Sequence, residues 1–155
     1  MTQAPTKEQF VQLLTPIAEA LRAVDVDHKD AAAAVERSVP FAGPLVAAVH
    51  KAAVAAIGSD WLLPKSNAGI RFGRAAKDLA GFSVDAVLMD VPGPRHRHPN
   101  GEIDLCFKTK GDPRFDGKAE GWVVYGKGSS HVPTVRGGEM LILYFLPGGA
   151  IEFAI

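Results

Sequence analysis

Three histidines and one glutamate have the residue types and spacing that could bind a metal ion. His96 and His98 lie one residue apart in the stretch "PGPRHRHPNGEIDLCF", and Glu102 follows four residues after the second histidine. On a strand, residues i and i+2 face the same side, so both imidazoles would project together, and a Pro-Asn-Gly turn would return Glu102 beside them. Two imidazoles and a carboxylate form the facial ligand set of non-haem iron and related divalent sites. His131, which follows the glycine-containing turn "GKGSS", is the candidate for a fourth ligand.

Residues 1–65 carry helical periodicity and are predicted to form an N-terminal helical cap. Thr6 and Gln9 have the spacing of a capping box at the start of the first helix. An alanine-rich segment over 30–38 and an apolar stripe over 45–57 predict two further helices. Pro16 leaves two interpretations open, because the first stripe is either one helix or is interrupted by a second helix that begins there. The first apolar stripe consists of Phe10, Leu14, Ile17, Leu21 and Val24.

Residues 66–155 change to short apolar runs separated by Gly, Pro, Asn and Asp clusters, which indicates a β-rich domain. About eight short strands at this spacing are typical of a small sandwich or barrel. We therefore expect an α+β fold, in which a helical cap over 1–65 precedes a small antiparallel β-barrel domain over 66–155. The predicted strands are 70–74, 82–89, 95–98, 102–108, 122–125, 131–135, 140–146 and 150–153.

The composition excludes several functional classes. Seventeen basic residues balance seventeen acidic ones, so no basic excess favours nucleic acid or an anionic membrane surface as a partner. The apolar run "MLILYFL" is too short to span a bilayer as a helix, and the N-terminal residues lack the apolar region of a signal peptide. The single cysteine, Cys106, suits a reducing compartment. We expect a cytoplasmic protein, and the chain lacks the Gly-rich fingerprint of a nucleotide cofactor site.

The candidate ligands match the two metal-binding motifs of the cupin family, which this sequence resembles. The first motif, H-x-H-x3-E, is present with intact spacing over 96–102, and the G-x2-H end of the second motif lies within 126–131. Gly126 stands in place of the family's proline, and Asp90 and Val135 replace its expected glycine and asparagine. The resemblance implies a jelly-roll barrel and a divalent ion of iron, manganese, nickel or zinc, held by the four candidate ligands.

A longer resemblance covers residues 81–153 and is weaker over the helices. The stretches "FSVDAVLMDVPGPRHRHPNGEIDLCF", "GWVVYGKGSSHVPTV" and "GGEMLILYFLPGGAIEF" resemble the 4-hydroxylaminobenzoate lyase family of bacterial nitroaromatic degradation. This resemblance implies conversion of 4-hydroxylaminobenzoate to 3,4-dihydroxybenzoate (protocatechuate) with release of ammonia. The alternatives are another metal-dependent cupin enzyme, either an aromatic-ring dioxygenase or an isomerase, and a non-catalytic cupin that binds a small molecule.

A small aromatic acid as substrate would need a cationic partner for its carboxylate, and an arginine fork is the most suitable group. Arg71, on a predicted early strand, is the candidate. Arg95 and Arg97 alternate with the two histidines and should therefore point away from the ligands. Because cupins often pair, we also expect a homodimer or a larger homo-oligomer.

Overall fold

The computed structural model describes residues 3–153. The two residues at each end, which begin the predicted helical cap and end the predicted β-domain, lie outside this range. In the described range, three helices precede nine strands. None of these helices is long and apolar enough to cross a membrane. The helices are α1 (Lys7–Leu21), α2 (Ala31–Ser38) and α3 (Pro44–Ala55). The strands are β1 (Lys65–Asn67), β2 (Ile70–Leu79), β3 (Phe82–Met89), β4 (His96–His98), β5 (Glu102–Phe115), β6 (Gly121–Tyr125), β7 (Ser129–His131), β8 (Val135–Pro147) and β9 (Glu152–Phe153).

Helix α1 begins at the predicted capping box. The Thr6 hydroxyl accepts a hydrogen bond from the Gln9 backbone N–H, and the Gln9 side chain accepts one from the Thr6 N–H. Pro16 lies inside the helix, so the first apolar stripe forms one continuous helix rather than two. Proline cannot donate its intrahelical hydrogen bond, and burial of the apolar face compensates for this loss. The buried residues of this face are Phe10, Leu14, Ile17, Ala18 and Leu21.

The strands form two antiparallel sheets. The larger sheet has the order β1-β2-β3-β8-β5-β6, and the smaller sheet has the order β7-β4-β9. The expected closed barrel is not found among the described strands, because β4 pairs with β7 and β9 in a sheet of its own. The larger sheet consequently remains open, with β1 and β6 as its edge strands.

Two interior strands of the larger sheet, β5 and β8, are longer than their apolar runs predict. The run over 102–108 extends to Phe115, and the run over 140–146 begins at Val135, since β5 and β8 pair along most of their length. Two irregularities in the pairing register carry this ladder through polar and glycine-containing segments. The predicted strand over 131–135 is divided, because β7 ends at His131 and β8 begins at Val135.

The helices cover one face of the larger sheet, and the helical and strand-rich segments share this apolar core. The Trp122 indole N–H donates to the Val39 carbonyl oxygen at 2.8 Å, which ties β6 to the end of α2. The opposite face of the larger sheet carries a second apolar cluster, and its aromatic members approach the histidines described below. That second cluster includes Met89, Cys106, Phe115, Ile142 and Tyr144.

Gly73, on β2, is a close-contact position between the strands and the end of the helical segment. A Cβ atom there would lie 2.4 Å from the Leu62 carbonyl oxygen and 2.4 Å from the Pro64 Cδ atom. We therefore expect Gly73→Ala to lower the free energy of unfolding by about 1–3 kcal/mol, as overpacking does in well-packed interiors. Urea denaturation measures this change.

The matched control is Gly58→Ala, because nothing lies within 4 Å of the position a Cβ would take at Gly58. This control should leave stability unchanged or raise it slightly, since alanine restricts the unfolded chain. Equal stability of the two variants would contradict the packing described for Gly73.

Candidate metal centre

The structure brings the four predicted ligands, His96, His98, Glu102 and His131, into one cluster. One ligand atom from each residue lies within 4.8 Å of the others. The Glu102 Oε1 atom is 3.3 Å from His96 Nε2, and Oε2 is 3.3 Å from His98 Nε2 and 3.6 Å from His131 Nε2. Three residues close in sequence and the distant His131 thus present three ring nitrogens and a carboxylate to a common point.

Strand geometry explains how the cluster forms. His96 and His98 are buried on one face of β4, while Arg97 between them is exposed, as alternation requires. The antiparallel register of β4 and β7 places His131 directly opposite His96. Gly101, at φ +87°, ends the turn before Glu102, and a Cβ there would lie 2.9 Å from the Tyr125 carbonyl oxygen. Glycine therefore permits the close turn that starts β5 at Glu102.

The buried polar atoms of the cluster lack hydrogen-bond partners among residues 3–153. They are His98 Nε2 and both carboxylate oxygens of Glu102. His98 Nε2 and Glu102 Oε2 lie 3.3 Å apart but do not meet hydrogen-bond geometry. Ligand atoms about 2.1 Å from one ion lie about 3.0–3.4 Å apart in tetrahedral or octahedral arrangements. The residue types and spacing fit a divalent metal ion.

The outer ring nitrogens of the β4 histidines are both engaged by acceptors. His96 Nδ1 lies 3.3 Å from the Pro94 carbonyl oxygen, which can only accept a hydrogen bond. His98 Nδ1 lies 2.9 Å from Ser129 Oγ, and this hydroxyl donates its own proton to the Gly126 carbonyl oxygen at 2.6 Å. Each Nδ1 therefore carries the hydrogen and donates, which leaves each Nε2 lone pair free for a metal.

His131 has a charged partner instead. Its Nδ1 atom lies 2.6 Å from Asp116 Oδ2, and the Tyr125 hydroxyl donates to the same oxygen. Burial lowers the pKa of His131, but interactions with Glu102 and Asp116 outweigh this effect and raise it above its ordinary value. Burial, followed by the hydrogen bond to Asp116, raises the Tyr125 pKa well above its ordinary value, so its hydroxyl keeps its proton.

Two buried carboxyl groups lie side by side on β5. Burial disfavours ionisation of Glu102, but hydrogen bonds that His131, His96 and His98 would donate from a protonated Nε2, together with one from Asp104, hold its pKa well below the usual range. Asp104 is also fully buried, and burial followed by the neighbouring Glu102 charge raises its pKa well above the usual range. The pKa values of these two neighbouring carboxyl groups are therefore displaced in opposite directions.

Sequence reasoning missed Asp104 and Asp116. Asp104 shares the strand face of Glu102, which alternation along β5 could have indicated. Asp116 belongs to an Asp-Gly turn, a signal that predicts the turn but not which side chain its carboxylate contacts.

Arg71 is not brought to the cluster. It lies on β2 between Ile70 and Phe72, which belong to the apolar cluster on the histidine side of the larger sheet. Arg71 therefore faces the helices, where its guanidinium donates to the Ile57 carbonyl oxygen at 3.0 Å. Its part in substrate binding stays a prediction.

Three helices, two antiparallel sheets and a largely buried three-histidine, one-glutamate cluster define an α+β protein with a candidate metal centre. A family model described as 4-hydroxylaminobenzoate lyase (PnbB) matches residues 13–153. The chain therefore belongs to the 4-hydroxylaminobenzoate lyase family, which confirms the resemblance found in the sequence.

Two curated relatives carry the name 4-hydroxylaminobenzoate lyase. The relative from Nocardioides sp. (strain LMS-CY) is 32% identical over 93 residues, covering 55% of this chain and 55% of that protein. The relative from Pseudomonas putida is 30% identical over 88 residues, covering 46% of this chain and 50% of that protein. The chain thus spans about half the length of the curated relatives it matches.

A solved structure of an RmlC-like cupin protein from Ralstonia eutropha also overlays on part of the chain. The TM-score is 0.46 at 18% identity, over 63% of this chain and 69% of that one. The family assignment rests on the family model and not on this overlay.

The cluster predicts a metal-dependent gain in stability. We expect iron(II), manganese, nickel or zinc to raise the melting temperature of metal-stripped protein, because an ion that binds only the folded state stabilises it. At a hundredfold excess over Kd the gain is about 2.7 kcal/mol, or roughly 5–10 °C at this chain length. Thermal unfolding with and without each ion measures the effect.

His96→Ala should abolish this gain relative to its own metal-free melting temperature. His28→Ala is the matched control, because His28 is exposed in the helical segment and should retain the full gain. An undiminished metal effect in His96→Ala would show that the ion binds elsewhere.

Proposed function

We propose that this chain is a metal-dependent lyase that converts 4-hydroxylaminobenzoate to 3,4-dihydroxybenzoate and releases ammonia. Family membership and the names of the two curated relatives support the reaction class. The observation that carries the metal dependence is the buried cluster, in which the Glu102 oxygens and His98 Nε2 have no hydrogen-bond partner among residues 3–153.

The overall reaction balances with one added water and no external oxidant. The nitrogen–oxygen bond breaks, and the hydroxyl group leaves as water. One water adds to the ring carbon next to the nitrogen, and a second water replaces the nitrogen, which leaves as ammonia. The ring regains aromaticity when a proton moves from carbon to oxygen. Because electrons are conserved within the substrate, the reaction requires no nicotinamide or flavin.

His96, His98, Glu102 and His131 would hold the ion, which would supply a Lewis acid for the hydroxylamino oxygen. The chain's own groups contribute in three ways at this point. Glu102 brings the only negative charge among the four ligands. The Nδ1 partners of the histidines keep the ring nitrogens aimed inward. Tyr125 keeps its proton in a hydrogen bond to Asp116, so it does not compete for the ion.

Apolar surface beside the cluster suits an aromatic substrate. The Phe153 ring centroid lies 6.0 Å from the His96 ring centroid, and Phe153 is 58% exposed. Val132, which follows His131, is 41% exposed. A benzoate ring could contact these side chains while its nitrogen faces the cluster. Arg71 remains the sequence-based candidate for the substrate carboxylate, and an unchanged KM in Arg71→Ala would reject that role.

Location and assembly complete the proposal. We propose a cytoplasmic location, since a chain with one cysteine, the buried Cys106, does not depend on internal disulfides. Burial raises the pKa of this thiol well above its ordinary value, so we assign it no catalytic role. We propose that the protein acts in nitroaromatic degradation. We also propose a homodimer or larger assembly, and light scattering of the purified protein would test the oligomeric state.

The lyase proposal predicts turnover without oxygen. Metal-loaded protein supplied with 4-hydroxylaminobenzoate under anaerobic conditions should release ammonia and 3,4-dihydroxybenzoate in equal amounts. Metal-stripped protein is the control and should release neither product. Enzymatic ammonia assay and chromatography of the ring product provide the measurements.

The outcomes separate the alternatives. Absence of ammonia from fully metal-loaded protein would overturn the lyase proposal. Oxygen uptake with catechols would then indicate a ring dioxygenase, and a substrate-dependent rise in melting temperature without conversion would indicate a binding protein.

A further inference from the structure

Asp116 holds the third histidine of the cluster from outside. From its contacts we infer that Asp116 is a positioning residue, which orients His131 for metal binding and fixes its tautomer. This inference rests on the proposed metal centre, but it does not depend on which reaction that centre performs.

The contact between Asp116 and His131 determines which ring nitrogen is free. Asp116 Oδ2 lies 2.6 Å from His131 Nδ1, and a carboxylate oxygen can only accept a hydrogen bond. Nδ1 therefore donates, and the lone pair remains on Nε2, which lies 3.1 Å from His96 Nε2 within the cluster. A charge-assisted bond of this kind is short and strongly directional.

The backbone holds Asp116 in place. Asp116 and Gly117 have φ values of +50° and +84° and form a two-residue turn, in which Phe115 and Lys118 exchange backbone hydrogen bonds of 2.7 and 2.9 Å. Positive φ at both central positions identifies a type I′ turn, for which Asp-Gly and Asn-Gly are the preferred sequences. The Asp116 carboxylate thus projects from a turn that two backbone hydrogen bonds close.

Thr134 and Tyr125 hold the carboxylate itself. The Thr134 N–H donates to Asp116 Oδ1 at 2.9 Å, while the Asp116 N–H donates to the Thr134 carbonyl oxygen at 2.8 Å. The Tyr125 hydroxyl donates to Oδ2, and the Tyr125 ring lies 4.3 Å from the His131 ring between centroids. The two carboxylate oxygens therefore have separate partners, because Oδ1 accepts from the backbone and Oδ2 accepts from His131 and Tyr125.

The charge of Asp116 distinguishes His131 from the other two ligands. His96 and His98 donate to a carbonyl oxygen and a hydroxyl, both neutral acceptors. His131 is also the most exposed of the three imidazoles, at 12% of its side chain against 4% and 0%. The charged Asp116 carboxylate therefore orients His131, the least buried of the three imidazoles. It also increases the electron density that His131 offers to an ion.

A purely structural role for Asp116 in its turn is the competing explanation, and Asp116→Asn separates the two. Asn-Gly is equally suited to the turn, and the asparagine oxygen can still accept from Thr134. The asparagine side chain has only one oxygen, so it cannot accept hydrogen bonds at both positions that the carboxylate oxygens occupy. The amide is also uncharged. The turn should therefore survive in this variant while the His131 contact weakens.

The experiment measures cobalt(II) affinity by chelator competition, together with the visible absorption of the bound cobalt and the metal-free melting temperature. We expect Asp116→Asn to keep the melting temperature, to weaken cobalt binding by about 10- to 100-fold and to alter the absorption bands. Tyr125→Phe, which keeps the ring, should weaken binding by a smaller factor. Asp60→Asn, at an exposed position outside the site, should match the wild type.

Wild-type affinity and an unaltered cobalt spectrum in Asp116→Asn would overturn the positioning role, as would a wild-type protein that binds no cobalt. The positioning role would also be overturned if Asp116→Asn and Asp60→Asn both reduced cobalt affinity and left the spectrum unchanged. Loss of affinity in the control variant would show that the effect does not depend on the His131 contact. Failure of the lyase proposal gives a different result, in which cobalt affinity responds to Asp116 but metal-loaded wild type releases no ammonia.

Discussion

Burial of the Glu102 carboxylate, whose oxygens meet hydrogen-bond geometry with no donor among residues 3–153, is the constraint on which the rest of the site depends. Transfer of a charge from water to a protein interior is costly unless partners compensate for the lost hydration. Here the surrounding groups are three imidazoles whose outer nitrogens are already committed to acceptors, so their inner nitrogens offer lone pairs rather than protons. Such an arrangement is unfavourable when empty and favourable around a cation, which is why the cluster is a candidate metal centre.

The architecture serves this arrangement by joining two sheets at the cluster. Glu102 begins the long strand β5 of the larger sheet, whereas the histidines lie on β4 and β7, which have only three residues each. Strands this short contribute few ladder hydrogen bonds, so side-chain contacts must help to fix them. The bond between His98 and Ser129, which joins β4 to β7, provides such a contact. Ligand geometry and the fold of the smaller sheet are therefore interdependent.

Local patterns predicted the parts of this structure that depend on local rules. Strand β3 has the predicted bounds, and the i, i+2 relation placed His96 and His98 on one face because strand side chains alternate. Alternation of side chains along β2 also determines which side of the sheet Arg71 faces, but only once it is known which face of β2 the helices cover. The sequence shows the alternation and not which face the helices cover. Features that depend on strand pairing between distant segments could not be predicted. They include the extension of β5 to Phe115 and the separate sheet that contains β4.

The reach of Asp116 to His131 illustrates the same limit. An Asp-Gly pair predicts a turn, yet the partner of its carboxylate depends on how β5 and β8 pair on either side. Fifteen residues separate the two side chains, and no periodicity relates them. Sequence spacing therefore identified the ligands that a motif carries, while the groups that hold those ligands emerged only from the fold.

Anomalous diffraction from crystals of the metal-loaded protein, recorded on both sides of the absorption edge of the metal, tests the central claim most directly. We expect one strong peak at bonding distance from the Nε2 atoms of His96, His98 and His131 and from the Glu102 carboxylate. A map without a peak at this point, or with the ion bound only by other residues, would contradict the assignment of the cluster as a metal centre.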